Sequence, residues 1–266
     1  MQTRSSTAIF QRKNNFDPFI RWVRKIHTAY GSFVFFALFL IFFLPLLVPI
    51  TFPKKFRWVG VINRWWAKLM FILVILPYKV ECRTRLNKRQ QYIFCPNHFS
   101  FLDIPTMGLN PINTVFVGKN AIENVPLFGF MFKRLHITVD RSKLKSKYDT
   151  FVKARKAIED GKSLVLYPEG GIYTEHPPDM VRFKDGAFRL AIEKQIPIVP
   201  VSIPYNWIIL PPDAFLLRQG NVKVIFHDPI ETKGMSLNDT DHLKQQVFRI
   251  IDDELKKYAN RPSPVG

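Results

Sequence analysis

The stretch Tyr92–Pro105, YIFCPNHFSFLDIP, begins as an apolar run and then places His98 and, five residues on, Asp103. A short apolar run bounded by Pro reads as a buried strand. A base and an acid at the end of such a strand raise a question of placement, because in open α/β sheets ligands gather beyond the carboxyl ends of the strands.

The pattern recurs downstream. YKVECR (78–83), QYIFCP (91–96), NTVFVG (113–118), HITVD (136–140), SLVLYP (163–168), IPIVPVSI (196–203) and NVKVIFHD (221–228) read as strands. Helical segments are expected over 145–160, 185–194 and 239–259. Strands alternating with helices give an α/β class, a mixed sheet flanked by helices. His98 follows one strand, Glu169 another and Arg141 a third, so three strands deliver a base, an acid and a cation to one rim.

A spacing of five suits neither regular element. On a helix the two side chains lie about 140° apart, and on a strand they face opposite sides. Pairing therefore needs a turn, which Phe99–Ser100 can supply. Asp103 would then accept from one ring nitrogen and leave the other free to take a proton. The plain alternative is that Asp103 caps a helix from Ile104, with Pro105 tolerated in its first turn.

The chain has 266 residues, 47% hydrophobic and 14% aromatic, with a net charge of +18. That composition excludes general disorder and suits one α/β domain plus an appendage. The charge is compatible with nucleic acid, an anionic membrane or an anionic substrate. Residues 1–68 carry eleven basic residues and one acid. This basic quarter is also the most apolar part, which favours anionic membrane lipids as the partner. The aromatics cluster in apolar runs instead of interleaving with basic residues, which argues against nucleic acid. Cys82 and Cys95 are the only cysteines, so neither a disulfide framework nor a metal site is expected, and the compartment is read as reducing.

From Tyr30 to Phe52 no residue is charged. About 20 apolar residues suffice to cross a bilayer. Yet Arg21, Arg24 and Lys25 precede the run and Lys54, Lys55 and Arg57 follow it, whereas a single span should show an asymmetry of Lys and Arg. Pro45 and Pro49 are expected to break the helix. A second run, Leu69–Tyr78, is too short to span and is preceded by Trp65 and Trp66, which favour the interface. Residues 34–77 are thus read as a two-helix unit sunk into one leaflet. The other reading is one transmembrane helix before a soluble domain. The division is 1–77, a basic leader and membrane-associated helix pair, and 78–266, the α/β domain.

The motifs Asn97–Asp103 (NHFSFLD), Gly118–Arg141 (GKNAIENVPLFGFMFKRLHITVDR), Tyr167–Gly171 (YPEGG), Phe183–Ala191 (FKDGAFRLA) and Ile196–Ile203 (IPIVPVSI) occur in this order. Over about 78–203 they resemble the 1-acyl-glycerol-3-phosphate acyltransferases, the lysophosphatidic acid acyltransferase family. The resemblance implies the glycerolipid acyltransferase fold with its membrane-docking pair. It also implies acyl transfer to the sn-2 hydroxyl of lysophosphatidic acid, giving phosphatidic acid. Under it, His98 is the general base and Asp103 orients it. Lys119 and Arg141 hold the acceptor's phosphate, and Glu169 contacts the acceptor or braces the His98 loop. Backbone N–H groups at Gly170 and Gly171 serve an oxyanion or a phosphate. No metal and no cofactor are implied, only an acyl-CoA or acyl carrier protein thioester as co-substrate, at the cytoplasmic face of the inner membrane.

One departure stands out. The family continues Pro-Glu-Gly with Thr-Arg-Ser, and here Gly171, Ile172 and Tyr173 follow. Ile172 cannot bind an anion. Arg182 or Lys184 can substitute, or the acceptor is a different lysophospholipid or a lyso-aminolipid. A non-catalytic membrane adaptor and a nucleic-acid-binding protein are the readings from other classes.

Overall fold

The computed structural model describes residues 18–140 and 144–259. Seven strands form one sheet: β1 (Tyr78–Cys82), β2 (Ile93–Pro96), β3 (Thr114–Lys119), β4 (Ile137–Val139), β5 (Ser163–Val165), β6 (Ile198–Ser202) and β7 (Val222–Phe226), in spatial order β1-β7-β6-β2-β5-β3-β4. The five strands from β6 to β4 run parallel, β7 is antiparallel to β6, and β1 is parallel to β7. The sheet is therefore mixed, as expected from the strand pattern. The parallel block puts the carboxyl ends of β2, β5, β3 and β4 on one rim. Every residue of β2, β5 and β6 is buried. That explains why these segments are continuous apolar runs: helices or loops cover both faces.

One face carries α5 (Leu144–Glu159), α6 (Gly186–Lys194) and α8 (Thr240–Ala259). In α8, Leu243, Val247, Ile251 and Leu255 recur every four residues and form one stripe against the sheet. A capping box between Ser236 and Asp239 sets the approach to this helix. The other face is closed by Phe94, Val165, Val199, Val224 and Phe226 together with Met107, the last residue of α3 (Asp103–Met107).

The N-terminal pair consists of α1 (Pro18–Thr51) and α2 (Arg57–Leu73). Two expectations need correction. The helix begins at Pro18, well before Val34, and it runs unbroken through Pro45 and Pro49. An interior proline costs roughly 3 kcal/mol. Here the two prolines lie one turn apart, so the donor missing at Pro49 would have met the carbonyl of Pro45. The surrounding packing keeps the helix continuous: Phe39 and Leu46 of α1 meet Val59 and Ile62 of α2 and Met131 and Leu135 of α4 (Phe128–Leu135). Val34, Leu38, Met70 and Phe71 share a second cluster with Tyr205, Ile209 of α7 (Asn206–Ile209), Leu217 and Val222. The pair and the sheet domain thus share a core. The opposite side of α1 exposes Phe33, Phe36, Leu40, Ile41 and Leu44. By length and composition, α1 is the one helix among the described residues suited to a bilayer.

Candidate active site

Leaving β2, the chain turns at Asn97, whose side-chain oxygen accepts from the Ile203 amide at 2.7 Å and whose amide donates to the Ile203 carbonyl at 3.1 Å. This ties the exits of β2 and β6 together. The next residues fold around one carboxylate. Asp103 Oδ2 lies 3.0 Å from His98 Nδ1 and accepts the amides of Phe99 (2.8 Å) and Ser100 (2.9 Å), while Oδ1 accepts from the Asn206 amide at 2.9 Å. Asp103 is wholly buried, and it is the first residue of α3. The turn at Phe99–Ser100 brings His98 and Asp103 together, so the pairing reading holds; the capping reading does not, because the helix starts at Asp103 itself, its cap position is Leu102, and no side chain caps it. The Ser100 hydroxyl, donating to the Leu210 carbonyl at 2.7 Å, anchors the turn from the other side.

With Nδ1 held by a carboxylate, the imidazole presents Nε2 to a cavity of about 890 Å³ between α1 and the sheet rim. His98, Tyr167 and Lys119 line it from the rim, and Phe35, Phe36 and Met70 from the helix pair. Its walls are mostly apolar. The mouth carries exposed Phe101 and Phe215, whose rings meet edge-on at 5.8 Å.

Glu169 does not face the cavity. Its Oε1 accepts the backbone amide of His98 at 2.7 Å and Oε2 that of Val181 at 3.4 Å. It therefore braces the His98 loop, the second of its two expected roles. Burial pushes its carboxyl up to about 8. The two amide bonds act the other way, and the charge of Asp103 adds to the rise. Glu169 is consequently mostly protonated at neutral pH, which leaves Asp103 as the carboxylate charge beside His98 among the described residues.

Gly170 takes φ +82° and spends its N–H on the Tyr167 carbonyl at 3.0 Å, so of the two glycine amides only that of Gly171 is unspent within the described residues. Lys119 closes β3 and is exposed at the cavity. Arg141 lies outside the described residues. Ile172 lines the cavity, as an apolar residue would. Cys95 is buried in the sheet core, where burial pushes its thiol pKa up, and it takes no part in the site.

Two site residues escaped the sequence reading. Tyr167 stacks on the His98 ring with centroids 4.0 Å apart and an interplanar angle of 26°. Asn206 holds the far oxygen of Asp103 and also donates to the Thr106 hydroxyl at 2.9 Å. Tyr167 stood two residues before Glu169 in a motif already singled out. Asn206, 103 residues from its partner, carried no local signal.

A family model described as Acyltransferase matches residues 78–204. The 1-acyl-sn-glycerol-3-phosphate acyltransferase of Haemophilus influenzae is 31% identical over 207 residues, covering 74% of this chain and 81% of that one. The protein of the same name from Saccharomyces cerevisiae is 30% identical, covering 73% of this chain. An acyltransferase of Schizosaccharomyces pombe is 28% identical, and this chain spans 65% of the length of each yeast relative. The crystal structure of the 1-acyl-sn-glycerophosphate (LPA) acyltransferase PlsC from Thermotoga maritima superposes with a TM-score of 0.73 at 20% identity, over 90% of this chain and 99% of that chain. At that identity the likeness shows the fold.

Proposed function

This chain belongs to the 1-acyl-sn-glycerol-3-phosphate acyltransferase family, and on that premise we propose that it transfers a fatty acyl group from a thioester to the sn-2 hydroxyl of lysophosphatidic acid, giving phosphatidic acid. The observation that carries the reading is the buried pair at 3.0 Å, with the other ring nitrogen turned to an apolar cavity. His98 Nε2 takes the hydroxyl proton as the oxygen attacks the thioester carbonyl, and Asp103 stabilises the imidazolium. The tetrahedral adduct collapses with cleavage of the C–S bond, and His98 returns the proton to the leaving thiolate. No covalent acyl-enzyme is needed. The thioester is carried by coenzyme A or acyl carrier protein. The apolar walls keep bulk water away from the thioester, which favours transfer over hydrolysis.

Phosphate recognition is assigned to Lys119 and Arg141, an ammonium and a guanidinium suited to a phosphomonoester. Membrane attachment is assigned to α1 and α2, lying in one leaflet on the cytoplasmic side of the inner membrane. In support, α1 packs lengthwise on α2 and α4, so one side of its apolar segment is already occupied by protein. Phe101 and Phe215, exposed at the cavity mouth, extend the apolar surface of α1 across the rim. A lysolipid can then enter the cavity without passing through water.

Ile172 in the cavity wall supports a second reading, the same reaction on a lysolipid with less phosphate charge. The deciding experiment is an acceptor panel with the purified full chain, one acyl-CoA and a range of lysolipids. Lysophosphatidic acid is expected to give the highest kcat/KM. His98→Ala is expected to lose at least about 10²-fold on every acceptor. A lyso-aminolipid outcompeting lysophosphatidic acid would select the second reading, and activity of His98→Ala within a few-fold of wild type would sink the mechanism.

A further inference from the structure

The short α7 grips the loop that carries His98 and Asp103 at two points. The Asn206 amide donates to Asp103 Oδ1 at 2.9 Å, and the Leu210 carbonyl, just past α7, accepts the Ser100 hydroxyl at 2.7 Å. The neighbours of Asn206 are apolar: Tyr205, Ile209 and Leu210 belong to the cluster that holds Val34 and Leu38 of α1 and Met70 and Phe71 of α2. Asn206 itself is wholly buried, so an amide stands where packing alone would favour an aliphatic side chain. It carries a cost there, since its Oδ1 has no hydrogen-bond partner among the described residues. A buried polar atom left unsatisfied calls for an explanation.

The explanation lies in the other half of the amide. An ionised Asp103 can only accept, and the Thr106 hydroxyl spends its own hydrogen on the Leu102 carbonyl at 2.7 Å. The group between them must therefore be the amide nitrogen, whose two hydrogens go one to each at 2.9 Å. On the carboxylate, three donors crowd Oδ2, and Asn206 is the one donor to Oδ1 among the described residues. Holding both oxygens fixes the rotation of the carboxylate about its Cβ–Cγ bond; with Oδ2 held alone, the group can tilt about that oxygen. The plane of the carboxylate sets the line from Oδ2 to His98 Nδ1, and so the direction in which Nε2 points into the cavity.

We propose that Asn206 is a positioning residue for acyl transfer, which fixes the plane of the Asp103 carboxylate and, through it, the tautomer and aim of His98. The assignment rests on the acyl-transfer reading above. Asn206 is not among the residues that line the cavity, so it acts through Asp103 and on neither substrate. Because α7 shares a core with α1 and α2, the same contact refers the aim of His98 to the helix pair.

The test uses the purified full chain in detergent micelles, with the variants Asn206→Leu and Asn206→Ala and, on α8 away from the site, Val247→Ala. Leucine keeps the volume and removes the donor. Alanine leaves room for a water beside Oδ1, which protects the fold if the leucine variant is unstable. A misaimed base slows the chemical step without weakening binding. In both Asn206 variants kcat is therefore expected to fall about ten- to a hundredfold, the value of one charge-assisted contact. KM for lysophosphatidic acid and for acyl-CoA should stay within about threefold. Val247→Ala opens a cavity at a buried position and lowers Tm, yet should keep kcat within about threefold. A second readout needs no substrate: in protein labelled with nitrogen-15 histidine, His98 is assigned by the signals missing from His98→Ala. Wild type is expected to show the Nδ1–H form, and the Asn206 variants a mixture of both tautomers. A folded Asn206 variant with kcat within about threefold of wild type overturns the assignment and leaves the acyl-transfer reading standing. A fall in kcat that Val247→Ala reproduces, or a loss confined to KM, does the same. A wild-type protein without acyl transfer overturns the reading beneath, and the histidine signals then decide alone: an unchanged tautomer overturns the positioning too.

Discussion

Replacing Asp103 by Asn separates the charge of the site from its shape. Four hydrogen bonds converge on the Asp103 carboxylate, three at Oδ2 and one at Oδ1. An asparagine can keep its oxygen at the crowded position and so retain His98, Phe99 and Ser100. Its amide then meets the Asn206 amide, a conflict that a flip of Asn206 relieves, since Asn206 Oδ1 has no partner among the described residues. The structural loss is about one neutral hydrogen bond, roughly 1 kcal/mol, or a fall in Tm of about 2–4 °C for a chain of this size. The catalytic loss is larger. A unit charge about 4 Å from a developing imidazolium is worth about 4 kcal/mol at an effective dielectric of 20. That predicts a fall in kcat of about 10²–10³-fold, with KM for lysophosphatidic acid within a few-fold. Thiol release from acyl-CoA in detergent micelles measures it, beside a thermal melt. Asp103→Ala cannot substitute for this test, because it strands the Phe99, Ser100 and Asn206 donors at about 1–3 kcal/mol each, a sum comparable with the whole stability of a domain. A folded Asp103→Asn enzyme with kcat within threefold of wild type would refute the reasoning.

Among the described residues the Tyr167 hydroxyl is buried without a partner, while its ring stacks on His98. Tyr167→Phe is therefore expected to raise stability by about 1 kcal/mol and leave kcat unchanged, and a drop in kcat of tenfold would show the hydroxyl to be functional. Glu169, pushed up to about 8 by burial, holds its proton in the folded state over a range where the unfolded carboxyl has lost it, so stability falls as pH rises from about 4.5 to about 8. His136 and His227, lowered by burial to about 3 and about 4, oppose this only below about 6.5. Between pH 6.5 and 8 the Glu169 contribution is about 2 kcal/mol; Glu169→Gln should flatten the melting curve in that window, and an unaltered slope would disprove the assignment. Tags at the two chain ends should both be cut by protease from the cytoplasmic side of sealed vesicles, and an N-terminal tag cut only from the opposite side would establish a true span.

All seven strands were legible because the buried ones are uninterrupted apolar runs bounded by Pro, Gly or charged residues, a pattern set by burial on both faces. Helices α5, α6 and α8 were legible within a residue or two from their periodicity. The start of α3 was legible from Pro105 in a first turn, within one residue; the short α4 and α7 were not, since eight and four residues give too few turns for a period to show. Pro45 and Pro49 misled for a different reason: local propensity says the helix ends, and only packing against α2 and α4 keeps it intact. Within the site, His98, Asp103 and Glu169 could be placed because each follows a strand of the parallel block. The stacking of Tyr167 on His98 depends on β5 lying beside β2, which strand order decides and spacing does not.

The same strand order explains why one carboxylate suffices. Asp103 and Glu169 converge from neighbouring strands on opposite ends of His98, one at the ring and one at the backbone amide. Two buried negative charges so close would repel, and burial resolves this by leaving the proton on Glu169. A neutral Glu169 still accepts the amide bonds that fix the loop. In the proposed reaction the single charge of Asp103 then acts on the imidazole alone, and the imidazolium meets an undivided counter-charge. A fully ionised Glu169 would place a second buried charge near the pair, whereas the neutral form braces the loop through the His98 amide alone.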